Sequence, residues 1–264
     1  MDLRLTFNTN PKNYDELRPT YVSKMFDDII EYSSLDKEMV ALEIGIGTGQ
    51  ASLPFLKRGC HLTAVELGTD LAEFSRKKFK MYENINIIND DFEHIDLTEK
   101  SYDLIYSATA FHWIPIKLGV PKVKRLLKSG GVFAWLSNHP CPSKEHLEIH
   151  NALQRVYHKY GEYFGNNALH DIKSIEDINE VKLIDRKNIF DTYDFENIVY
   201  QSYQSTRTFN ADEYCKLLCT YSGHINLPEE IKSSFLKDIR DAIFSLGDEL
   251  IINDTILLVM GRIS

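Results

Sequence analysis

Cysteine is scarce in this chain: there are four in 264 residues, at the scattered positions 60, 141, 215 and 219. So few separated thiols exclude a disulfide-stapled domain and suit a reducing compartment. The 13 glycines and 8 prolines are ordinary numbers, which excludes collagen-like and low-complexity chains. No run of 18 apolar residues occurs, and no apolar segment precedes a cleavage site near the start. We therefore expect a cytoplasmic protein with no membrane span and no secretion signal.

An excess of basic residues is also missing. Lys and Arg total 30 against 39 Asp and Glu, a formal net charge of −9. A negative field repels phosphate backbones and anionic lipid, so we expect neither a nucleic acid nor a membrane as partner. The length is enough to bury a sizeable core and suggests one large domain, or one domain with a cap.

Short β-rich runs alternate with helical patterns over the first 138 residues. The predicted strands are 40–44, 62–66, 85–89, 102–106 and 132–138, and the predicted helices are 50–57, 70–81 and 117–127. Asp70 followed by Glu73 indicates a capping box at the start of the second helix. This alternation predicts an α/β fold with a parallel sheet covered on both faces.

The pattern changes after residue 139. A helix is predicted from an N-cap at Ser143 to about residue 160, followed by a polar, irregular segment over 162–185. A strand at 198–209 precedes a helix that Asn210 and Glu213 open, a further helix at 228–246 and a last strand at 256–262. We interpret 140–190 and 210–225 as helical insertions standing over the carboxyl edge of the sheet, within a single domain.

The strongest local motif is Glu43-Ile-Gly-Ile-Gly-Thr-Gly49, which directly follows a predicted strand and opens a helix. Glycines there permit a tight turn and the close approach of a ligand. Alone, this pattern is compatible with a nicotinamide cofactor, a flavin or S-adenosylmethionine. Glu66 ends the second strand, where a carboxylate can accept from ribose hydroxyls or simply lie at a helix start.

Two further groups follow the next strands at the same edge. Asp91 and Phe92 could bind an adenine amine and its ring, or be a turn aspartate beside a core phenylalanine. The segment 107–113, Ser-Ala-Thr-Ala-Phe-His-Trp, follows the fourth strand. His112 is a candidate base because imidazole titrates near neutrality, but it could equally pack beside a ligand.

Taken in order, these motifs resemble class I S-adenosylmethionine-dependent methyltransferases. The segments are ALEIGIGTG (41–49), TAVELG (63–68), NDDFEHIDL (89–97), SYDLIYSATAFHW (101–113) and LLKSGGVFAW (126–135). The chain is most similar to the methyltransferase type 11 group, which includes trans-aconitate methyltransferase-like proteins. The outlying phrases around Tyr14, Arg18 and Tyr21, and at 206–208 and 220–222, are typical of that group.

The resemblance implies a Rossmann-like, seven-stranded, mostly parallel sheet in the order 3-2-1-4-5-7-6. It implies one domain over 1–264, with an N-terminal lid (1–35), a cofactor-binding core (36–139), the insertions, and last strands at 198–209 and 256–263. Gly119 and Pro121 interrupt the helix that usually follows strand four, which leaves the start of that helix open.

The same resemblance implies the residues of the site. Gly45, Gly47 and Gly49 would lie under the cofactor, Glu43 near its methionyl amine, Glu66 on its ribose, and Asp91 with Phe92 at its adenine. Tyr14, Arg18 and Tyr21 would close over the methionyl end. Trp113 would line the substrate pocket, and Arg207 with Tyr221 could hold a substrate carboxylate, although a structural ion pair explains Arg207 equally simply.

These residues predict methyl transfer from S-adenosylmethionine to a small-molecule acceptor, most simply O-methylation, with a carboxylate as one acceptor group. A nicotinamide-dependent oxidoreductase is the alternative, since Glu66 follows Gly45 at a permissive spacing. A non-catalytic S-adenosylmethionine-binding protein is a third. Cys215, Cys219 and His224 are too few for a metal site, so no metal is expected. We expect the protein to be a monomer or a homodimer.

Overall fold

A seven-stranded sheet runs through the protein. The computed structural model describes residues 3–164 and 172–264. The strands are β1 (Val40–Ile44), β2 (His61–Glu66), β3 (Ile85–Asn89), β4 (Tyr102–Ala108), β5 (Leu127–Pro142), β6 (Glu196–Phe209) and β7 (Leu250–Arg262). Their order in the sheet is β3-β2-β1-β4-β5-β7-β6, which confirms the predicted topology.

The first five strands pair in parallel. β1 lies between β2 and β4, β2 also pairs with β3, and β4 also pairs with β5. The β4–β5 register jumps from Tyr102 opposite Leu127 to Leu104 opposite Val132. Gly130 sits in that irregular stretch with a φ of +75°, a left-handed conformation that glycine adopts without strain. β5 therefore begins five residues before the predicted strand.

Helices occupy most of the remaining chain. They are α1 (Pro11–Leu17), α2 (Ser23–Ser33), α3 (Ser52–Arg58), α4 (Thr69–Lys78), α5 (Ile116–Leu126), α6 (Leu147–Lys159), α7 (Gly161–Phe164), α8 (Ile172–Thr192), α9 (Ala211–Leu218), α10 (Ser222–Ile225) and α11 (Glu229–Phe244). Short 3-10 helices span Leu3–Thr9 and Phe111–Trp113. No helix of the described ranges is both long enough and apolar enough to cross a bilayer.

Contacts within the chain divide it into two compact units, each built from three segments. The sheet unit comprises residues 20–138, 180–203 and 256–264, and the helical unit comprises residues 1–19, 139–179 and 204–255. Four of the five boundaries between the units fall inside elements, because β5, α8, β6 and β7 each contribute residues to both units.

The sheet unit has a core on each face of the sheet. On β5, Val132, Ala134 and Leu136 belong to one buried cluster, while Phe133 and Trp135 belong to the other. This alternation follows from the two-residue period of a strand, and burial on both faces is what a parallel sheet requires. Phe133 stacks on Phe190 of α8 with 5.3 Å between ring centroids.

The helical unit has its own core of apolar and aromatic side chains. Phe235, Ile239 and Ile243 of α11 are fully buried there. Tyr157 and Tyr160 of α6 pack edge-on against Phe235. The regular spacing of apolar residues on α11 that predicts this helix therefore matches its buried face.

Several local predictions are wrong. Residues 172–185, predicted to be irregular, are helical: helix α8 runs over Ile172–Thr192. Ser143 does not cap α6, which begins at Leu147, since the backbone N–H of Ser143 still donates to Ile251 of β7 and its hydroxyl accepts from Glu145. The predicted positions between 165 and 171 lie outside the described residues.

The cap of α4 also differs from expectation. Gly68, not Asp70, is its N-cap, and Asp70 lies in the first turn. The Glu66 carboxylate accepts from the Gly68 N–H at 2.8 Å and so fixes the chain before the helix begins. An acidic residue in the first turn still interacts favourably with the helix dipole.

Helix α5 is continuous despite Pro121. It spans Ile116–Leu126, close to the predicted 117–127. Gly119 permits close packing beneath it, since a Cβ at that position would lie 2.9 Å from the ring of Phe111 and 2.8 Å from Ile114. The Gly-Val-Pro departure therefore alters packing under the helix and leaves its start in place.

Candidate active site

The loop between β1 and α3 carries three glycines in left-handed conformations. Gly45, Gly47 and Gly49 have φ values of +75°, +57° and +80°. A Cβ on Gly45 would come within 2.4 Å of the Ala110 Cβ, and one on Gly49 within 2.2 Å of the Phe79 ring. Side chains at these positions would be both strained and blocked, which explains the glycines that the motif requires.

Groups from β2 and α4 hold this loop. The Glu66 carboxylate accepts from the Gly47 N–H and, through its other oxygen, from Gly68, each at 2.8 Å. Ser75 donates to the Gly47 carbonyl at 2.7 Å, and Lys78 donates to the Thr48 carbonyl at 2.9 Å. Burial raises the pKa of Glu66, and the backbone N–H donors oppose that shift.

Glu43, at the end of β1, is buried in a different environment. Its Oε2 accepts hydrogen bonds from the Ser52 hydroxyl at 2.6 Å and the Tyr106 hydroxyl at 2.8 Å. Burial raises its pKa to about 8, which two hydroxyl donors only partly offset, and the nearby Glu66 raises it further. Glu43 is therefore protonated at neutral pH in the free protein.

The pair after β3 divides between surface and core. Asp91 accepts from the Glu93 N–H at 2.9 Å and lies 3.3 Å from the His94 ring nitrogen. Phe92 is buried in the second cluster of the sheet unit, with the Lys122 ammonium 5.1 Å from its ring centroid. These contacts are those of a turn aspartate beside a core phenylalanine, and their role at an adenine stays a prediction.

The segment after β4 is the fourth group of candidate site residues at this edge of the sheet. Thr109 has a φ of +57°, and its hydroxyl lies 2.8 Å from the Tyr21 hydroxyl, one of the predicted lid residues. The 3-10 helix that follows buries Phe111 against Trp135 at 5.0 Å. His112 is exposed and Trp113 half-buried.

His112 is an unusual imidazole. Solvent reaches it, yet protein atoms surround it closely enough to lower its pKa to about 4, with contributions from the positive charges of Arg186 and Lys182. The ring is therefore neutral at physiological pH, but it is a weak proton acceptor. Sequence reasoning missed both cations, because no helix was predicted over 172–192: the segment predicted to be irregular, 162–185, contains Lys182 and ends directly before Arg186.

The other predicted residues lie in the helical unit. The Arg18 guanidinium donates to the Thr220 carbonyl and hydroxyl at 2.6 and 3.0 Å, and it lies over the rings of Tyr14 and Tyr221 at 4.8 and 4.2 Å. The structure thus brings together two phrases that are distant in sequence, the one around Tyr14 and Arg18 and the one at 220–222. Their closure over a cofactor stays a prediction.

Arg207 is fully engaged by protein groups. It donates to both carboxylate oxygens of Asp254 at 2.5 and 3.0 Å and to the Leu17 carbonyl at 3.1 Å. This bidentate contact is the structural ion pair that the sequence analysis gives as the alternative role of Arg207. It leaves the guanidinium little capacity to bind a substrate carboxylate.

Cys215 and His224, which were considered as metal ligands, make other contacts. Cys215 is buried in the core of the helical unit, and the Nε2 of His224 lies 2.8 Å from the Tyr157 hydroxyl. Over the described ranges, no cluster of three His, Cys, Asp or Glu side chains is arranged to hold a metal ion.

The site residues of the sheet unit suit an adenosyl ligand with a positive charge. Two buried carboxyl groups, Glu43 and Glu66, flank a glycine loop whose backbone a ligand could approach closely. Such oxygens accept from ribose hydroxyls or from an ammonium group, so the donor and acceptor chemistry fits S-adenosylmethionine.

Comparisons with known proteins agree with this geometry. Residues 42–135 match a methyltransferase domain family. The malonyl-[acyl-carrier protein] O-methyltransferase of Paenibacillus sp. (strain JDR-2) is 31% identical over 155 residues, covering 55% of this chain and 55% of that protein. The chain thus spans about half the length of this curated relative.

Two solved structures share the fold. A candidate type II methyltransferase from Anaeromyxobacter dehalogenans superposes with a TM-score of 0.61 at 18% identity, covering 93% of this chain and 97% of that one. Phosphoethanolamine N-methyltransferase 2 of Haemonchus contortus, solved with S-adenosylhomocysteine, gives a TM-score of 0.56 at 12% identity, covering 100% of this chain and 61% of that one.

Proposed function

We propose that this chain, whose residues 42–135 match a methyltransferase domain family, uses S-adenosylmethionine to methylate an oxygen atom of a small-molecule acceptor, specifically a carboxylate. The observation that carries the proposal is the loop after β1, with its three left-handed glycines and the Glu66 carboxylate bonded to its backbone. S-adenosylmethionine is the cofactor, and when bound it supplies a methyl group on a positively charged sulfur atom.

In this proposal the protein binds the cofactor and the acceptor, orients them, and excludes water from the site. Gly45, Gly47 and Gly49 let the backbone lie against the cofactor, while Glu66 accepts from its ribose. Glu43 would lie near the methionyl amine. A cation there would favour the ionised form of this buried carboxyl, so cofactor binding would release a proton from Glu43.

A carboxylate acceptor fits the properties of His112. Its pKa of about 4 makes it a poor base at neutral pH, so it is suited to shaping the pocket rather than to removing a proton. A carboxylate is already ionised at that pH and needs no base. The Paenibacillus relative, a malonyl-[acyl-carrier protein] O-methyltransferase, is compatible with this choice.

The test is a screen for methyl transfer. Purified protein is incubated with S-adenosylmethionine and a panel of small organic acids, phenols and amines, and release of S-adenosylhomocysteine is measured. We expect turnover with organic acids and a methyl ester as product. Turnover confined to phenols or amines would contradict the carboxylate, and cofactor binding without turnover on any acceptor would favour the non-catalytic alternative.

A further inference from the structure

A buried arginine on α8 has no acidic partner. Arg186 is 7% exposed. Its Nη1 donates to the Ser137 hydroxyl at 2.6 Å, and its guanidinium carbon lies 4.7 Å from the centroid of the Trp135 ring. No Asp or Glu of the described ranges forms an ion pair with it, in contrast to Arg207, which Asp254 pairs in bidentate fashion.

This arrangement leaves hydrogen-bond donors unused. A guanidinium has five N–H donors, and protein acceptors within the described segments engage Arg186 through Ser137 only. The indole N–H of Trp135 is also buried without an acceptor in this part of the chain. Burial lowers the pKa of Arg186 to about 10, so the charge persists at neutral pH. Burying an unpaired cation is costly, and a native protein retains one where a ligand supplies the anion.

The Arg186 side chain lies near the end of β4. Trp135 pairs with Ser107 and Leu136 with Ala108, so Ser137 continues β5 just where β4 leads into the 107–113 segment. Lys182 lies one helical turn before Arg186 and therefore on the same side of α8. Both cations act on His112, which places all three side chains in one region of the sheet unit.

We propose that Arg186 and Ser137, supported by Lys182, form a recognition site for an oxyanion group of the methyl acceptor, a carboxylate or a phosphate. This inference rests on the proposed function and adds the side chains that select the acceptor. The planar guanidinium suits two-point contact with such a group, and the Trp135 ring beneath it keeps the guanidinium plane in place. The acceptor class is therefore a small organic acid or phosphoester rather than a neutral alcohol or an amine.

Both tryptophans of the chain, Trp113 and Trp135, lie in this region, so intrinsic fluorescence reports on it. The full chain is titrated at constant ionic strength with sodium malonate and sodium succinate in one arm and glycerol 3-phosphate in the other. The variants are Arg186→Gln, Arg186→Lys and Ser137→Ala. Arg155→Gln removes an exposed arginine of α6 and is the matched charge control. Affinity for S-adenosylhomocysteine is measured by calorimetry for every protein.

We expect a saturable fluorescence change with one of the two anion classes at millimolar concentration. Its dissociation constant should rise by about tenfold or more in Arg186→Gln, the loss that one charge-assisted contact predicts, and less in the other two variants. Arg155→Gln should behave as the parent. The arm that responds identifies the anion as carboxylate or phosphate.

Three results would overturn the proposal. They are no saturable change with either class, equal affinity in Arg186→Gln and parent, or a parallel loss of S-adenosylhomocysteine affinity that assigns Arg186 to the cofactor. If Arg186→Gln does not fold, Arg186→Lys and Ser137→Ala decide in its place. Failure of the parent to bind S-adenosylhomocysteine, with anion binding intact, would refute the proposed function and leave the anion site standing.

Discussion

Glu43 and Glu66 are both buried carboxyl groups, and their different donors give them different properties. Glu66 accepts from two backbone N–H groups, which favour its charged form. Glu43 accepts from two hydroxyls and has its pKa raised to about 8. Each carboxyl therefore makes its own measurable contribution to stability and to binding.

Replacing Glu43 by Gln should change how stability depends on pH. In the unfolded chain this carboxyl ionises near pH 4.5, but in the folded protein only near pH 8. Between those values the unfolded state binds fewer protons, so the Glu43 contribution to stability falls as pH rises and is constant above about pH 8. Glu43→Gln should remove this decline, measured by urea unfolding from pH 5 to 9. Glu83→Gln, at an exposed position, is the control and should keep it.

Glu66→Ala should weaken binding of S-adenosylhomocysteine more than Asp91→Ala. Glu66 would lose charge-assisted hydrogen bonds to the ribose and would also release the Gly47 N–H, whereas Asp91 would lose one contact to the adenine. We expect at least a tenfold loss for Glu66→Ala, since each such bond contributes about 1.5–3 kcal/mol. Calorimetric titration measures it. Small, equal losses would mean that neither carboxylate touches the cofactor.

His112→Ala should slow turnover by about tenfold or less, with no change in the shape of the pH profile between 6 and 8. An obligatory base would cost at least about a hundredfold, and the pKa of about 4 leaves His112 unprotonated throughout that range. The measurement follows the acceptor screen. A profile that bends near pH 6–7 in the parent and flattens in the variant would contradict this expectation.

Single residues were predictable where a motif marks them. The glycine loop and Glu66 follow strands that the sequence delimits well, and the structure joins them directly through the Glu66–Gly47 hydrogen bond. Arg186 was not predictable, because nothing in the sequence around it distinguishes a buried cation from the exposed charges of the same helix. Its significance depends on Ser137 and Trp135, 49 and 51 residues away.

At the scale of elements, strands and caps differ in how far sequence determines them. β1 and β3 have the predicted bounds. Helix α8 was not predicted because its apolar residues lie on more than one side of the helix. Leu183 and Phe190 pack in a core of the sheet unit, while Val181 and Ile184 are exposed. No single apolar stripe therefore marks it, and only packing of its inner side identifies the helix.

The two predicted helix starts, Asp70 with Glu73 and Asn210 with Glu213, provide a matched pair. At α9 the Asn210 side chain accepts from the Glu213 N–H and Glu213 accepts from the Asn210 N–H, which confirms the prediction. Asn210→Ala should lower the free energy of unfolding by about 1 kcal/mol, the usual value of a lost N-cap. Asp70→Ala should cost less, because Asp70 lies in the first turn of α4 and not at its N-cap, which is Gly68. Denaturant unfolding of both variants tests the difference, and equal losses would contradict it.

For the whole molecule, the strand order was predictable only through the resemblance to class I methyltransferases. Strand patterns alone predict a parallel sheet but do not order it, since pairing between distant strands leaves no local trace in the sequence. The helical unit was less accessible, because its three segments meet only in the folded state.

Adenosyl ligands should stabilise the folded protein, and NAD should not. S-adenosylmethionine and S-adenosylhomocysteine should raise the melting temperature, whereas NAD should not. At one hundred times its dissociation constant a ligand adds about 2.7 kcal/mol to the free energy of unfolding. Thermal shift assays with all three ligands measure this. Stabilisation by NAD alone would support the oxidoreductase alternative.

The place of β7 bears on how the chain acquires its structure during synthesis. β7 follows the other six strands of the sheet in sequence, yet it lies between β5 and β6. When residues 1–249 have left the ribosome, β5 and β6 are present but β7, the strand that lies between them, is not. β5 and β6 then each have an unpaired edge with which other chains can pair. The part of the sheet from β3 to β5 can form as it is synthesised, but the sheet is complete only once β7 has been made. Chaperones that shield strand edges should therefore act in the interval between the synthesis of β6 and that of β7.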